Sequence, residues 1–324
     1  MIMINRLRQL IQQQLAQSQV GLERTSERQI ILQASLLARS NRSRNTLPGL
    51  HEVGFAAFSQ WGEDGMLDWL IERLPGISRS FVEFGVGNYR ESNTRLLLQL
   101  RNWRGLVIDG SAAHIADIRR QELYWRHELQ ALQAFIDRDN INTLIASGGM
   151  RGDIGLLSVD IDGNDYWVLK AIDVVQPAIL IVEFNAVFGD RYELTVPYLA
   201  DFQRGRAHHS ELYFGASLPA MVELGRSKGY SFIGTSLFGC NAFFIREDLA
   251  YKVLPALEGV WAWPTMAREA RDPQGRLIFT SGPARASIIA AMPVLDLASG
   301  REVTLGELGD LFSPQWALGE VSRL

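Results

Sequence analysis

The sequence is poor in cysteine and in long apolar runs, and each scarcity excludes a class of protein. Cys240 is the single cysteine in 324 residues, which excludes a disulfide framework and a cysteine-based zinc site. One cysteine fits a reducing compartment, so a cytoplasmic protein is expected. The longest apolar run spans Ala178 to Phe184 and contains Glu183. It is far too short to cross a membrane, and no transmembrane segment is expected.

Lysine is scarce as well, and the chain has no basic excess. The formal net charge is -4, and the chain has three lysines, Lys170, Lys228 and Lys252. General nucleic-acid binders usually show a basic excess, so no nucleic-acid partner is expected. Hydrophobic residues at 47% and charged residues at 21% are ordinary for a folded soluble protein.

The first 46 residues differ in composition from the rest. They contain no proline and one glycine, are rich in Gln, Leu and Arg, and are net basic. Leu7, Ile11 and Leu15, then Leu32 and Leu36, recur at helical spacing. A helical arm that packs on its own domain or on a second subunit is favoured over a transit peptide or a membrane-surface helix. A homo-oligomer formed through this arm is one candidate assembly. The predicted divisions are an arm at 1–47, a main domain at 48–249 and a C-terminal extension at 250–324.

Apolar runs alternate with helical patterns after Pro48. The predicted strands are 80–84, 105–108, 132–136, 154–159, 178–184, 230–233 and 241–245. One of the helices between them is predicted over 112–127. This alternation is typical of parallel βαβ units in a sheet covered on both faces. The short separation of the last two strands permits a hairpin, which makes the last strand antiparallel. A dinucleotide dehydrogenase would more often continue with another parallel unit.

Two predicted strand ends carry the residues that a nucleotide-bearing cofactor requires. The first reads Glu83-Phe84-Gly85-Val86-Gly87-Asn88, and the second ends in Asp109-Gly110-Ser111. Glycines let the backbone approach the ligand, and the aspartate can accept hydrogen bonds from ribose hydroxyls. NAD and S-adenosylmethionine share the adenosine part, so this pattern alone leaves both open.

With these motifs, the chain resembles the class I S-adenosylmethionine-dependent methyltransferases and looks like their FkbM type over roughly residues 57–248. The residues that carry the resemblance are Ser59-Gln60, Glu63-Asp64, the turn from Glu83 to Gly87, Ile108-Asp109, Asp160-Ile161-Asp162-Gly163 and Val182-Glu183. The resemblance implies a Rossmann-like seven-stranded, mostly parallel sheet whose last strand is antiparallel. It also implies methyl transfer to a hydroxyl of a sugar, glycan or natural-product small molecule. The third glycine of the pattern is replaced by Tyr89.

The resemblance also implies a set of cofactor contacts. They are Ser59, Gln60, Glu83, Gly85, Gly87, Asn88, Asp109, Gly110, Ser111 and Asp137. Glu83 is expected to hold the cofactor's amino group, Ser59 and Gln60 its carboxylate, and Asp137 the adenine amino group. The structural alternatives are helix capping for Ser59 and Asp109 and an ordinary loop acid for Asp137.

Asp160, Asp162, Asn164 and Asp165 form the densest acidic cluster in the sequence. A calcium loop is rejected because Gly163 falls at the wrong position and the distal glutamate is missing. The carboxyl ends of the fourth and fifth strands lie side by side, so Asp160 or Asp162 is expected to face Glu183 and Asn185.

Three interpretations of this cluster stay open. Asp162, Glu183 and Asn185 could bind Mg²⁺ and lower the pKa of an acceptor hydroxyl. One carboxylate, Asp160 or Asp162, could instead be the general base, and His208 in the polar stretch 204–211 is a further candidate. The third possibility is that the carboxylates cap the following helices.

The sequence therefore predicts an S-adenosylmethionine-dependent O-methyltransferase. An NAD-dependent sugar oxidoreductase is disfavoured by the predicted hairpin and the missing third glycine. A non-catalytic relative that acts as an assembly partner is the third hypothesis.

Overall fold

The computed structural model describes residues 21 and 24–323. The strands of its main sheet are β1 (Ser80–Phe84), β2 (Arg104–Asp109), β3 (Leu129–Gln133), β4 (Gly152–Val159), β5 (Val175–Glu183), β7 (Tyr230–Thr235) and β8 (Asn241–Arg246). They are ordered β3-β2-β1-β4-β5-β8-β7. β8 runs antiparallel to both of its neighbours, whereas the pairs among β1 to β5 are parallel. The predicted seven-stranded, mostly parallel sheet with an antiparallel last strand is confirmed.

Helices cover both faces of this sheet. They are α1 (24–42), α2 (Glu63–Arg73), α3 (Arg95–Arg101), α4 (Ala112–Arg120), α5 (Glu122–Arg126), α6 (Ile141–Ser147), α7 (Asp165–Ala171), α8 (Arg204–Ala207), α9 (Leu218–Ser227), α10 (Glu247–Ala250) and α11 (Pro314–Ala317). Short 3₁₀ helices span Leu50–Val53, Ala186–Phe188, Leu254–Ala256, Gly282–Ile289 and Leu305–Leu308. Within the described residues, no helix combines the length and the apolar character that a membrane crossing needs.

The apolar runs form strands because both faces of the sheet are buried. In β5, Leu180 and Val182 belong to the core on one face, while Ile179 and Ile181 belong to the core on the other. Successive side chains point to opposite faces of a strand, so a continuous apolar run fills both cores at once.

Two predicted elements need correction. The third strand was predicted at 132–136, but β3 covers Leu129–Gln133 and pairs with β2 from Gly105 to Asp109. The apolar residues that follow β3 lie in a loop, where Ile136 still packs into the core. The helix predicted over 112–127 is two helices, because Gln121 adopts an extended backbone between them.

The helix α1 packs on its own chain. Ala34 and Ala38 are its fully buried residues, whereas Leu32 and Leu36 of the predicted apolar stripe are 63% and 58% exposed. Small side chains let the helix approach the layer that contains Phe58. Leu7, Ile11 and Leu15 lie outside the described residues, and oligomerisation through the arm stays a prediction.

The C-terminal extension contributes to two small sheets. A three-stranded sheet has the order β11-β10-β6, with β6 at Leu194–Thr195, β10 at Pro293–Asp296 and β11 at Arg301–Thr304. A two-stranded sheet pairs β9 (Trp261–Ala262) with β12 (Ser322–Arg323). Because β6 lies before residue 250 and its partners lie after it, the predicted extension is packed onto the predicted main domain. The domain boundaries themselves stay predictions.

The turn after β1 makes the tightest approach between two strand ends. Gly85 has a φ of +68°, and a Cβ atom at this position would lie 1.8 Å from the carbonyl oxygen of Asp160. The Gly85 N–H donates to the Ile108 carbonyl at 3.0 Å. Tyr89, at the third-glycine position, is also left-handed, with a φ of 63°. Its buried hydroxyl hydrogen-bonds Thr94 Oγ1 at 2.9 Å, which holds a conformation that glycine normally supplies.

Gly85 and Gly87 provide a matched pair that tests this approach. Gly87 has a φ of +53° but has no atom within 4 Å of an added Cβ. We expect Gly87→Ala to cost about 1–2 kcal/mol, the strain of one left-handed residue. Gly85→Ala should cost more than about 3 kcal/mol, because the backbone at Asp160 must also move. Urea unfolding of both variants measures the difference, and equal losses would contradict the close approach.

Candidate active site

A cavity of about 620 Å³ opens at one edge of the main sheet. Its lining includes Gly85 after β1, Asp160 after β4, Glu183 at the end of β5 and Asn241 at the start of β8. β8 runs antiparallel to β5, with Asn241 opposite Glu183, so these groups share the edge formed by the carboxyl ends of the parallel strands. Ligands of open α/β sheets bind at this edge. The cavity also has the volume of a small-molecule site.

Two carboxyl groups lie together in this cavity. Oxygen atoms of Asp160, Asp165 and Glu183 are all within 4.8 Å of one another. Burial, followed by repulsion from neighbouring carboxylates, raises the pKa of Asp160 and of Glu183 well above the ordinary range. The pair therefore holds its protons more tightly than two separate carboxyl groups would.

Asp165 holds the loop that presents Asp160. Its Oδ1 accepts the Ile161 N–H at 2.8 Å and its Oδ2 accepts the Gly163 N–H at 2.9 Å. The side chain is fully buried, and burial raises its pKa to about 6. Asp165 was part of the acidic cluster, for which helix capping was one of the three predicted roles. Its position at the first residue of α7 was the sequence signal for a capping function.

Asp162 points to a different partner from the one predicted. It has a left-handed φ of 54° and pairs its Oδ1 with Arg204 Nη1 at 2.5 Å. Its side chain is 57% exposed, and it lines the cavity without joining the Asp160–Glu183 pair. The carboxylate that faces Glu183 is therefore Asp160.

Asn185 is committed to backbone groups. Its Nδ2 donates to the carbonyls of Leu212 and Phe214 at 2.8 and 3.0 Å, and its Oδ1 accepts the Val187 N–H at 3.0 Å. The amide oxygen that a cation would need thus already accepts a hydrogen bond. Because Asp162 is paired with Arg204, the predicted Mg²⁺ ligands Asp162, Glu183 and Asn185 do not assemble in this structure.

Glu83 also has a role other than the predicted one. Its carboxylate accepts hydrogen bonds from the side chains of Ser92 and Thr94 and from the Asn93 N–H at 2.8 Å. The group is buried, and burial raises its pKa. Glu83 therefore ties β1 to the segment that leads into α3, and it does not line the cavity.

Asp109 connects the two predicted cofactor motifs. Its Oδ2 accepts the Gly87 N–H at 2.8 Å, and its Oδ1 accepts the Ser111 N–H at 2.7 Å. The helix α4 is capped by Ser111, whose side chain accepts the His114 N–H. Oδ1 also lies 3.1 Å from His114 Nδ1, so the orientation of Asp109 is fixed. Oδ2 keeps a second acceptor position, with which a ribose contact stays compatible. The space beyond the Cα of Gly87 is open, and exposed Phe135 lies next to Gly110.

The remaining predicted cofactor contacts have structural partners. Ser59 Oγ accepts the Asp64 N–H at 3.1 Å while Asp64 accepts the Ser59 N–H at 2.8 Å, a reciprocal cap. Asp137 Oδ1 accepts the N–H groups of Asp139 and Asn140 before α6. The Gln60 amide donates to Glu91 and lines the cavity.

Asn88 and His208 lie away from the cavity lining. The Asn88 side chain accepts the Arg90 N–H at 3.2 Å. His208 Nδ1 lies 2.7 Å from Ser210 Oγ and its ring lies against His209. Burial lowers the pKa of His208. Nothing in this placement gives His208 a part in the cavity.

Asn241 and its partner Glu63 had no predicted role in the site. Asn241 is 6% exposed and its Nδ2 donates to Glu63 Oε1 at 2.9 Å. Its Oδ1, which is buried, has no hydrogen-bond partner among the described residues. Glu63 Oε2 accepts the Trp61 N–H at 2.8 Å, and Trp61 stacks on Phe238 at a centroid distance of 3.5 Å. Only the sheet order brings residues 63 and 241 together, so no local pattern could reveal the pair.

Arginines form another part of the wall. Arg204, Arg271 and Arg285 line the cavity, and the last two come from the C-terminal extension. Arg204 is paired with Asp162 and Arg271 with Glu211. The site therefore has a carboxyl pair at the sheet edge and guanidinium groups elsewhere in its lining.

Comparison with known proteins gives structural likeness only. No family model and no curated protein matches the chain. The N-terminal domain of EvdMO1, solved in the presence of SAH and D-fucose, is 10% identical over 68% of this chain and 95% of that chain, with a TM-score of 0.37. A methyltransferase from Geobacter sulfurreducens is 15% identical over 55% of this chain and 74% of that chain, with a TM-score of 0.35. An S-adenosylmethionine-dependent methyltransferase from Clostridium acetobutylicum is 10% identical over 56% of this chain and 88% of that chain, with a TM-score of 0.34. Likeness at this level carries no argument about activity.

The pH dependence of stability tests the carboxyl pair. The pKa of Glu183 is raised in the folded protein, so its contribution to stability is present at low pH and is lost as pH rises from the unfolded pKa to the folded one. We expect Glu183→Gln to remove part of this loss, up to about 1.4 kcal/mol per pH unit for one proton within that window.

Urea unfolding between pH 4.5 and 8 measures this slope. The exposed Glu320→Gln variant is the matched control and should keep the wild-type slope. Identical slopes in all three proteins would mean that Glu183 titrates as an ordinary surface carboxyl group.

Proposed function

We propose that this protein is an S-adenosylmethionine-dependent O-methyltransferase that acts on a hydroxyl of a sugar, glycan or natural-product small molecule. The observation that carries the proposal is the position of the Asp160–Glu183 pair. It lies in a cavity beside Gly85, at the sheet edge where an α/β fold binds its nucleotide cofactor.

The sheet order supports a methyl donor over NAD. A dinucleotide-binding sheet has six parallel strands in the order 3-2-1-4-5-6. Here the antiparallel β8 lies between β5 and β7. This is the arrangement that the resemblance to class I methyltransferases implies, and the NAD-dependent oxidoreductase is accordingly disfavoured.

The chain has groups that fit the adenosine end of the donor. Asp109 is held in place by the Gly87 and Ser111 N–H groups and by the His114 ring, with an acceptor position left on Oδ2. The open face of Gly87 and the exposed ring of Phe135 beside Gly110 provide room and a flat apolar surface. Glu83 is not proposed as a contact to the donor's amino group, because Ser92, Asn93 and Thr94 occupy its carboxylate.

The donor supplies an electrophilic methyl group on a sulfonium. The acceptor's hydroxyl oxygen forms the new bond to carbon as the carbon–sulfur bond breaks, and the electron pair of that bond stays on sulfur. The hydroxyl proton passes to the ionised member of the Asp160–Glu183 pair. A carboxylate whose pKa is raised is a stronger base than an ordinary one. General bases work best when their pKa is close to the working pH. The rest of the cavity positions donor and acceptor in line.

Magnesium is not part of the proposed mechanism. Two of the three predicted ligands have other partners, Asp162 with Arg204 and Asn185 with three backbone groups. Asp165, the third member of the assembled acid group, accepts a backbone N–H on each oxygen.

Replacement of the pair tests the proposal. We expect Asp160→Asn and Glu183→Gln each to lower kcat by about 10²-fold or more, the usual contribution of a positioned base. Release of S-adenosylhomocysteine is measured with a panel of monosaccharides, uronic acids, sugar phosphates and phenols as acceptors.

Calorimetric binding of S-adenosylhomocysteine controls for folding of these variants, and the exposed Asp153→Asn is the matched change of charge. EDTA should leave wild-type activity unchanged. Activity that is lost in EDTA and restored by Mg²⁺, or full activity of Asp160→Asn, would contradict the assignment of the pair as the base.

A further inference from the structure

Arg285 is a buried cation in the wall of the cavity. The residue is 2% exposed, and its donors reach two backbone carbonyls, Gly282 at 3.2 Å from Nε and Thr265 at 3.1 Å from Nη2. It forms no ion pair with any residue in the described part of the chain. Burial lowers the pKa of Arg285, but a guanidinium stays charged in proteins. A charge removed from water normally has a counterion.

The other two arginines of the cavity lining are already paired. Asp162 neutralises Arg204, and Glu211 neutralises Arg271. Glu269 also lines the cavity; it is exposed, forms no ion pair with Arg285 and acts on its charge only through space. Among the three arginines of the lining, Arg285 is thus the one whose charge has no ion-pair partner in the described part of the chain.

We propose that the methyl acceptor carries an anionic group, a carboxylate or a phosphate, that pairs with Arg285 while its reacting hydroxyl lies against Asp160 and Glu183. The inference rests on the proposed methyl transfer and names its substrate class, a polyhydroxylated acid such as a uronic acid or a sugar phosphate. Arginine is suited to both anions because its planar fork donates two parallel hydrogen bonds.

The same geometry gives the C-terminal extension a role. Arg285 lies in the 3₁₀ helix Gly282–Ile289 of the extension. Leu277 of the same extension also lines the cavity. The sheet edge holds the reacting groups, and the extension selects the acceptor by its charge.

Calorimetric titration tests the selection directly. D-Glucuronate, glucose 1-phosphate and D-glucose are compared at one ionic strength, with and without S-adenosylhomocysteine. At least one of the two anions should bind tenfold or more tightly than glucose, and the stronger one identifies the carboxylate or the phosphate as the group recognised. Equal binding of all three sugars would overturn the inference.

Variants then locate the anion. Arg285→Gln should remove the tenfold preference, and Arg285→Lys should keep part of it because a charge without the planar fork remains. Arg301→Gln, an exposed change of the same charge on β11, should leave the preference intact. Preference that survives in Arg285→Gln would overturn the inference.

Leu277 provides a second test that does not disturb a buried residue. It is 62% exposed, so Leu277→Asp and Leu277→Asn should both fold. Asparagine has the shape of aspartate without its charge. Leu277→Asp should weaken anion binding several-fold relative to Leu277→Asn and leave glucose binding equal in the two variants. Equal anion binding in the two variants would overturn the inference.

The proposed methyl transfer and the inference about the acceptor's charge are contradicted by different results. If S-adenosylhomocysteine does not bind, the proposed methyl transfer is contradicted. If it binds, and neutral sugars are methylated as fast as the acidic ones, only the inference about the acceptor's charge is contradicted.

Discussion

The close approach of Gly85 to the Asp160 carbonyl is the constraint on which the rest of the site depends. It brings the loop after β1 against the loop after β4, and a side chain at position 85 would prevent it. Asp109 reaches back to the Gly87 N–H, so the turn is fixed from the β2 side as well. The ends of β1, β2 and β4 are therefore in direct contact.

The loop after β4 is held in place by the buried side chain of Asp165. Asp165 accepts two backbone N–H groups of the 161–163 segment, which leaves the side chain of Asp160 to face Glu183. Like charges so close do not both ionise, and the cost is relieved by retention of a proton. A structure that keeps such a pair sacrifices stability at neutral pH, which is common for groups that take part in catalysis. The same cavity receives Asn241 from β8 and Arg285 from the extension, so distant parts of the chain converge on it.

The sequence predicted the strands well because burial on both faces leaves a continuous apolar run. The third strand was misplaced because Leu132 to Ile136 is apolar for a different reason: Ile136 fills the core from a loop. The candidate site was predicted in location and less well in detail. Proximity of Asp160 and Glu183 followed from the adjacency of parallel strand ends. Glu83, Asp162 and Asn185 bond to backbone atoms or to side chains that are not adjacent in the sequence. Residue types alone do not reveal such partners. Arg285 and Asn241 reach the cavity only through the tertiary fold.

The central claim is that this sheet edge binds a methyl donor and not a dinucleotide. Calorimetric titration of the purified protein with S-adenosylmethionine, S-adenosylhomocysteine and NAD tests it most directly. We expect both sulfur nucleosides to bind at one site per chain and NAD to show no binding. Binding of NAD in place of the two sulfur nucleosides, or binding of none of the three, would contradict the account.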